Sequence, residues 1–232
     1  TYSTTAIKKA TLAALEEAGL KKDSIKISNS TGYEADRQLK EAEDKTTDLL
    51  VIGAGPAGLA SAIQAKQDGV ENVTVIEKMD ILSGNGKFDM NFFDMANSKA
   101  MKDNNNEVTK EEYKEKFAEK SWDSPERIDA MTEGAFEVDS WLRDQGIELE
   151  YNFGEDGSMN HMAKEDEYAG NYIQTKLEKS ANELGIEIIP GTKATDLIIE
   201  DGKAIGAAVE DKHNTYNIKA TSTIIATGGF AN

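Results

Sequence analysis

TDLLVIGAGPAGLASAIQAKQDGVENVTVIEK, residues 47–78, is the stretch that decides the fold of this chain. It opens with an apolar run, Leu49–Ile52, which is long enough for a buried parallel strand. Three glycines follow at the spacing GxGxxG, at positions 53, 55 and 58. Pro56 stands where a helix can begin, because the first helical residue needs no N–H. The pattern predicts a strand, a tight turn and a helix in direct succession.

The glycine spacing is typical of a dinucleotide-binding turn. The first glycine permits the tight turn, the second lets a pyrophosphate approach the backbone, and the third lets the helix pack closely on the strand. A second predicted strand, Asn72–Glu77, ends in an acid about 20 residues after the last glycine, where a ribose-binding carboxylate is expected. We therefore predict a Rossmann-type site for an anionic dinucleotide at the helix start. The alternative is a glycine-rich turn in an unrelated βαβ unit, with Glu77 a solvated strand end.

The composition narrows the classes of partner. A formal net charge of −17 over 232 residues argues against nucleic acid and against an anionic membrane surface. The absence of cysteine excludes thiolate catalysis and iron–sulfur ligation by this chain, and no metal site is predicted. The longest apolar stretch, Leu49–Ile63, is too short to span a bilayer, and no signal peptide is predicted in the sequence. Because the chain begins without methionine, we expect a processed or excised piece of a longer protein.

The chain divides into a leading segment, a linker and one large domain. Residues 1–20 are predicted to end in the last helix of a preceding unit, with a glycine near its end. Residues 21–46 are polar and charged, as expected of a linker. The domain covers residues 47–232, so the predicted boundary lies near residue 46.

The later part of the domain is predicted to hold helices first and strands afterwards. Ser124-Pro125-Glu126 supplies the cap, the proline and the acid of a helix start. The stripe that follows is expected to face the core: Ile128, Met131, Ala135, Val138 and Leu142. A further helix covers about Tyr168 to Leu184, and Asp201-Gly202 is a two-residue hairpin signal. The predicted short strands are Ile186–Ile189, Ala194–Ile199, Ala204–Val209, Tyr216–Ala220 and Thr223–Ala226.

This order of elements resembles the FAD-binding domain of the fumarate reductase and succinate dehydrogenase flavoprotein family. The soluble bacterial branch is the most similar; it includes fumarate reductases, urocanate reductases and ketosteroid dehydrogenases. The matching motifs are VIGAGPAGL (Val51–Leu59), VIEK (Val75–Lys78), SGN (Ser83–Asn85) and IIATGGFAN (Ile224–Asn232). The resemblance implies an α/β fold: a Rossmann-like FAD-binding domain with a parallel sheet, a helical insertion and a small β-meander.

The resemblance also implies FAD rather than NAD as the cofactor. The glycine turn would hold the pyrophosphate, Glu77 the adenosine ribose, and Ala194 the adenine. The residues implied to bind FAD are Gly53, Ala54, Gly55, Pro56, Ala57, Gly58, Glu77, Lys78, Ser83, Gly84, Asn85, Gly86, Ala194, Ala226, Thr227 and Gly228. Family members usually have GGNT where this chain has SGNG, Ser83–Gly86, so the flavin-side contacts are expected to differ.

No catalytic residue is assigned by the resemblance. His161 lies where the family often has an Arg-x-His segment, but Met159 replaces the arginine. His161 is therefore a weak candidate for the proton donor, and an exposed loop histidine is the alternative. In the family a capping domain supplies the acid and closes over the flavin. We expect that domain to be missing from this chain, and the chain alone to be inactive.

A second resemblance covers Thr1–Gly19, which is similar to the tail of a small FMN-binding domain. In that family a threonine carries FMN through a phosphoester, and Thr1 would be that threonine. Such domains usually lie outside the cytoplasm, so a cell-surface location is favoured, with a cytoplasmic one as the alternative.

The function implied is the FAD-binding part of a reductase acting on an activated C=C bond, such as that of fumarate or another enoate. Hydride would come from the flavin, and an electron donor protein or flavin domain would supply the electrons. Two alternatives stay open: a ketosteroid-type flavin dehydrogenase, and a non-catalytic flavin electron-carrier module.

Overall fold

The computed structural model describes residues 9–10, 13–19, 38–82, 84–88, 93–119, 121–151, 160–164 and 167–229. The chain separates into two compact units, Thr1–Gln38 and Leu39–Asn232. In the first unit residues 13–17 are helical, within the segment predicted to end in a helix.

The second unit begins at Leu39, ahead of the boundary predicted near residue 46. Strand β1, Lys40–Glu41, pairs in parallel with the last strand of the unit. Strand β2, Lys45–Ile52, also begins before the predicted apolar run. Backbone pairing needs no apolar side chains, so these polar residues join the sheet without a hydrophobic signal in the sequence.

Ten strands are assigned within the described residues. The remaining ones are β3 (Val73–Ile76), β4 (Phe93–Asp94), β5 (Glu150–Tyr151), β6 (Asn160–Met162), β7 (Glu187–Ile189), β8 (Lys193–Glu200), β9 (Lys203–Glu210) and β10 (Asn214–Ile225). The main sheet has the order β7-β3-β2-β10-β9-β8, with β1 beside β10. A small antiparallel sheet has the order β4-β6-β5.

Six helices are assigned in the second unit as the structure describes it: α1 (Pro56–Gln67), α2 (Asn85–Phe88), α3 (Lys99–Asp103), α4 (Lys110–Ala118), α5 (Pro125–Asp144) and α6 (Ala169–Glu183). The parallel sheet with helices confirms the predicted α/β class. Among these described helices, none is long and apolar enough to cross a membrane.

Helix α1 forms as its sequence predicts. Pro56 occupies the first turn, where a missing N–H removes no helical hydrogen bond. Leu59, Ala62 and Ile63 are all buried on the face that packs against the sheet. The helix ends before Gly69, whose φ of 96° is costly for residues with a side chain.

Helix α5 begins at the predicted signal, but its buried stripe is narrower than expected. The Ser124 side chain accepts a hydrogen bond from the Arg127 N–H. Met131 was expected to face the core and is 50% exposed. Thr132 is buried instead, and its hydroxyl donates to the carbonyl of Ile128 at 2.8 Å, which satisfies the polar group inside the core.

The β-rich end forms one continuous antiparallel array that extends the main sheet. Asp201 and Gly202 both have positive φ, 48° and 76°, as a two-residue hairpin between β8 and β9 requires. The two strands predicted at Tyr216–Ala220 and Thr223–Ala226 are a single twelve-residue strand, β10. This strand pairs antiparallel with β9 and then parallel with β2, so pairing continues across the predicted break between the two strands.

The sheet topology brings several strand ends together. Strands β2, β3, β7 and β10 run parallel, so their carboxyl ends meet at one edge of the sheet. Leu49 and Val51 face the cluster that includes α1 and α6, whereas Leu50 and Ile52 face the opposite cluster. Both faces of the central strand are therefore buried, and the edge at the carboxyl ends is where a ligand would bind.

Candidate functional site

The glycine turn connects β2 to α1 and leaves no room for side chains at two positions. Gly53 has a φ of 109°, and a Cβ atom added there would lie 2.4 Å from the carbonyl oxygen of Ala226. A Cβ atom added to Gly58 would lie 1.9 Å from the carbonyl oxygen of Gly53. Real Cβ contacts are not this short, so only glycine allows the helix to approach the strand this closely.

The start of α1 is suited to an anion. Gly55 is its N-cap residue with no side-chain cap, and the first turn holds no acidic residue. The Gly55 N–H has no acceptor within the part of the chain that is described. Unpaired N–H groups and the positive end of the helix dipole attract negative charge, despite the net charge of the chain.

Glu77 directly follows β3, the strand beside β2, and its side chain hydrogen-bonds to the glycine turn. Its Oε2 accepts a hydrogen bond from the Ala54 N–H at 3.0 Å. Its Oε1 accepts one from the Met79 N–H at 2.9 Å. The carboxylate therefore lies at the glycine turn, as the motif predicts, and its binding of a ribose stays a prediction. Lys78, which follows, is exposed.

The adenosine-side residue Ala194 follows a segment that runs past this acid. The N–H of Thr192 donates to the Glu77 carbonyl at 2.8 Å, and the N–H of Gly191 donates to the Met79 carbonyl at 2.9 Å. The chain then enters β8, where Ala194 is partly buried and packs on the second core cluster. Ala194 therefore lies two residues after Thr192, which contacts the backbone of Glu77, the predicted ribose-binding residue.

The flavin-side segment contacts the glycine turn from the other direction. Gly84 has a φ of 123°, and Asn85 begins the short helix α2. A Cβ atom added to Gly86 would lie 2.9 Å from Cγ of Pro56, so the two residues are in close contact. Ser83 lies outside the described residues.

The segment after β10 packs against the glycine turn. The Ala226 N–H donates to the Ile52 carbonyl at 2.8 Å, which continues the parallel pairing past the strand end. Thr227 and Gly228 are exposed, and Gly228 has a φ of 84°. The structure therefore brings together the glycine turn, Glu77, Gly86 and Ala226.

A residue that the sequence analysis did not single out also belongs to this site. Gln174 of α6 is fully buried, and its Nε2 donates to the Ala54 carbonyl at 2.9 Å. The contact joins residues 120 positions apart, so no local pattern predicts it. The one available signal is a glutamine between Ile173 and Leu177 on the buried face of an amphipathic helix.

His161 is buried, so the alternative that it is an exposed loop histidine is wrong. It lies on β6 with no exposed surface, and its Nε2 is 2.7 Å from the hydroxyl of Ser98. Its ring is 5.4 Å from the ring of Tyr151. Ser98 gives the Nε2 atom of this buried ring a hydrogen-bond partner, and β4 and β5 pair on either side of its strand. This burial argues against a proton donor in contact with substrate.

The site fits a dinucleotide by its shape and donors. Two positions exclude any Cβ atom, the helix start offers unpaired N–H groups, and a carboxylate stands at the next strand end. In the described residues no group of three or more potential metal-ligating side chains occurs. Thr1, the predicted site of covalent FMN, lies outside the described residues.

Comparisons with known proteins agree with this geometry. Residues 48–232 match the family described as FAD binding domain. The chain is 25% identical over 212 residues to the NADH:fumarate oxidoreductase of Klebsiella pneumoniae, covering 88% of this chain and 23% of that protein. It is 28% identical to the urocanate reductase of Eggerthella lenta, covering 83% of this chain and 33% of that protein. A vinyl phenol reductase of Lactiplantibacillus plantarum is 27% identical, and the match covers 82% of this chain and 39% of that protein.

Solved structures share the fold. The open conformation of a flavocytochrome c3 fumarate reductase superposes with a TM-score of 0.72 at 24% identity, covering 88% of this chain and 37% of that one. A 3-ketosteroid-Δ4-(5α)-dehydrogenase from Rhodococcus jostii superposes with a TM-score of 0.71 at 21% identity, covering 84% of this chain and 49% of that one. The chain thus spans well under half of the length of the curated relatives named above.

Proposed function

Because this chain belongs to the FAD binding domain family, we propose that it holds the FAD of an oxidoreductase that reduces an activated C=C bond. The substrate class we propose is fumarate or another enoate. Two relatives support it by their names, a fumarate oxidoreductase and a urocanate reductase. A vinyl phenol reductase supports only the reduction of a C=C bond. The observation that carries the FAD site is the glycine turn, in which two positions admit no side chain and the helix start has no side-chain cap.

Each part of the site binds a different part of the cofactor in this proposal. The start of α1 binds the pyrophosphate through backbone N–H groups. Glu77 accepts hydrogen bonds from the adenosine ribose while its other contacts keep the turn in place. The described part of the flavin-side segment, Gly84–Gly86, would contact the flavin half of the cofactor, because Gly86 lies against Pro56 at the helix start. When bound, FAD supplies the hydride-transfer chemistry, and the protein supplies position and electrostatics.

We also propose that electrons reach the flavin from a partner protein or from a flavin domain carrying FMN on Thr1. The support is the similarity of Thr1–Gly19 to the tail of an FMN-binding domain. Intact-mass measurement of the full-length protein, produced with a flavin transferase, tests this. A covalent FMN adduct is expected on the wild type and not on Thr1→Ala; an adduct on both would place the attachment elsewhere.

A substrate screen of the full-length enzyme tests the proposed reaction. Fumarate, urocanate and cinnamate are each supplied with a reduced dye, and dye oxidation is followed. A 3-ketosteroid is supplied with an oxidised dye, and dye reduction is followed, because a dehydrogenase passes electrons from the steroid to the acceptor. Substrate-dependent oxidation with one of the enoates is expected. Turnover of the 3-ketosteroid alone would establish a dehydrogenase of that type, and flavin cycling with no substrate turnover would establish an electron carrier. Either result contradicts the proposal.

A further inference from the structure

Gln174 is a buried polar side chain that contacts the glycine turn and one carboxylate of its own helix. It has no exposed surface and lies on α6 beside Ile173 and Leu177, which are also buried. Its Nε2 donates to the Ala54 carbonyl at 2.9 Å and to Oε1 of Glu178 at 3.0 Å. Both neighbours are acceptors, so only the NH₂ end of the amide can face them.

The amide oxygen of Gln174 shows that packing alone does not account for this residue. This atom is buried and has no hydrogen-bond partner among the described residues. An unsatisfied buried acceptor costs stability, whereas a methionine of similar shape would fill the same volume without that cost. The benefit of a glutamine at this position therefore lies in the hydrogen bond from its Nε2 to the Ala54 carbonyl.

Two side chains from distant parts of the chain fix both backbone groups of Ala54. Its N–H donates to Glu77, and its carbonyl accepts from Gln174. The peptide bond between Ala54 and Gly55 is planar and trans, so the Ala54 carbonyl and the Gly55 N–H point in opposite directions. With the carbonyl fixed toward α6, the Gly55 N–H is fixed away from α6. That N–H has no acceptor within the described chain.

The partner of Gln174 on the same helix connects this contact to the flavin-side segment. Oε1 of Glu178 lies 3.4 Å from Nζ of Lys87, and the two side chains are 24% and 19% exposed. Lys87 belongs to α2, directly after Gly86, and its ammonium also donates to the Leu82 carbonyl at 3.3 Å. The carboxylate thus orients the amide and holds α2 against α6.

We propose that Gln174 is a positioning residue for dinucleotide binding. It orients the Gly55 N–H toward the pyrophosphate, and the Glu178–Lys87 pair ties the flavin-side segment to the same turn. This inference rests on the proposed FAD site. It predicts that changes at Gln174 weaken ligand binding more than they weaken the fold.

The test measures dissociation constants for FAD and for ADP in Gln174→Met. This variant keeps the volume and removes both N–H donors. The constant is expected to rise at least about tenfold for FAD, and by a similar factor for ADP, because both ligands carry the pyrophosphate. The urea midpoint of the apoprotein is expected to stay near the wild-type value. Gln67→Met, at the exposed end of α1, is the matched control and should change neither measurement.

A second variant keeps the inference testable if Gln174→Met does not fold. In Gln174→Glu the introduced carboxyl can donate to the Ala54 carbonyl only when protonated. Burial beside Glu178 raises the pKa of such a group. The FAD affinity of this variant, relative to the wild type, should therefore improve as the pH falls from about 8 to about 6, close to the range where buried carboxyls titrate.

The outcomes separate the inference from the proposed function. A wild type that binds no FAD contradicts the proposed function itself. A wild type that binds FAD, with Gln174→Met within about twofold of it, overturns the positioning role alone. The positioning role is also overturned if the FAD affinity of Gln174→Glu, relative to the wild type, does not change with pH. Glu178→Gln should weaken FAD binding, whereas Glu183→Gln, whose partner Lys179 is exposed, should not.

Discussion

At the scale of single residues, the carboxylate of Glu77 has two kinds of task. It accepts hydrogen bonds from the N–H groups of Ala54 and Met79, and the motif predicts that it also accepts from the ribose. Glu77→Ala removes all of these acceptors. We expect FAD affinity to fall by about 1–3 kcal/mol, measured by flavin fluorescence titration. Glu71→Ala, on the exposed loop before β3, is the control. Equal affinities of the two variants would remove Glu77 from the site.

A second residue-scale prediction concerns the pH dependence of stability. Burial, together with the nearby charge of Asp94, raises the pKa of Tyr113 to about 12 from its usual 10.0. The neutral phenol is favoured in the fold, so its contribution to stability is complete below the unfolded pKa of 10.0 and is lost as the pH rises through about 12.

Alkaline difference absorbance measures this directly. One tyrosine should titrate near pH 12 in the native protein, and this component should disappear in Tyr113→Phe. Tyr168, which is 58% exposed, provides the control variant Tyr168→Phe, which should retain the component. A native titration of Tyr113 at its ordinary pKa would contradict its burial between α4 and α5.

At the scale of elements, the fold depends on how closely α1 approaches β2. Gly58→Ala would place a Cβ atom 1.9 Å from a backbone oxygen, so the helix must move. We expect the free energy of unfolding to fall by about 1–3 kcal/mol, as is typical of overpacking. Gly134→Ala in α5 is the matched control, because nothing lies within 4 Å of its added Cβ. It should stabilise by about 0.5–1 kcal/mol. Urea unfolding of both variants measures the difference, and equal effects would contradict the close approach.

The elements that the sequence predicted well are those whose signals are local. Pro56 and the Ser124 cap place the starts of α1 and α5, and Asp201-Gly202 places the hairpin, because each depends on backbone chemistry within a few residues. The continuity of β10 was missed since its middle is paired by β2, far away in the chain. The alternative that His161 is an exposed loop histidine was wrong for the same reason: Ser98 and the two strands beside β6 come from other segments.

At the scale of the whole molecule, the site is where four parallel strand ends meet. The turn, its acid and the segment after β10 were predicted from motifs that occupy those ends. Gln174 was not, because a glutamine on a helix face has no pattern that names its partner. Motifs record which residues meet the ligand, whereas the side chains that orient them are found only once the fold is known.

The central claim, that FAD binds at the glycine turn, is tested most directly by titrating the apoprotein with FAD in the wild type, Gly55→Val and Gly134→Ala. Gly55 has a φ of −74° and a ψ of 179°, an extended conformation that valine adopts readily, so the fold should persist while the side chain blocks the pyrophosphate. We predict binding by the wild type and by Gly134→Ala, and no detectable binding by a folded Gly55→Val. Unchanged FAD affinity in Gly55→Val would contradict the claim.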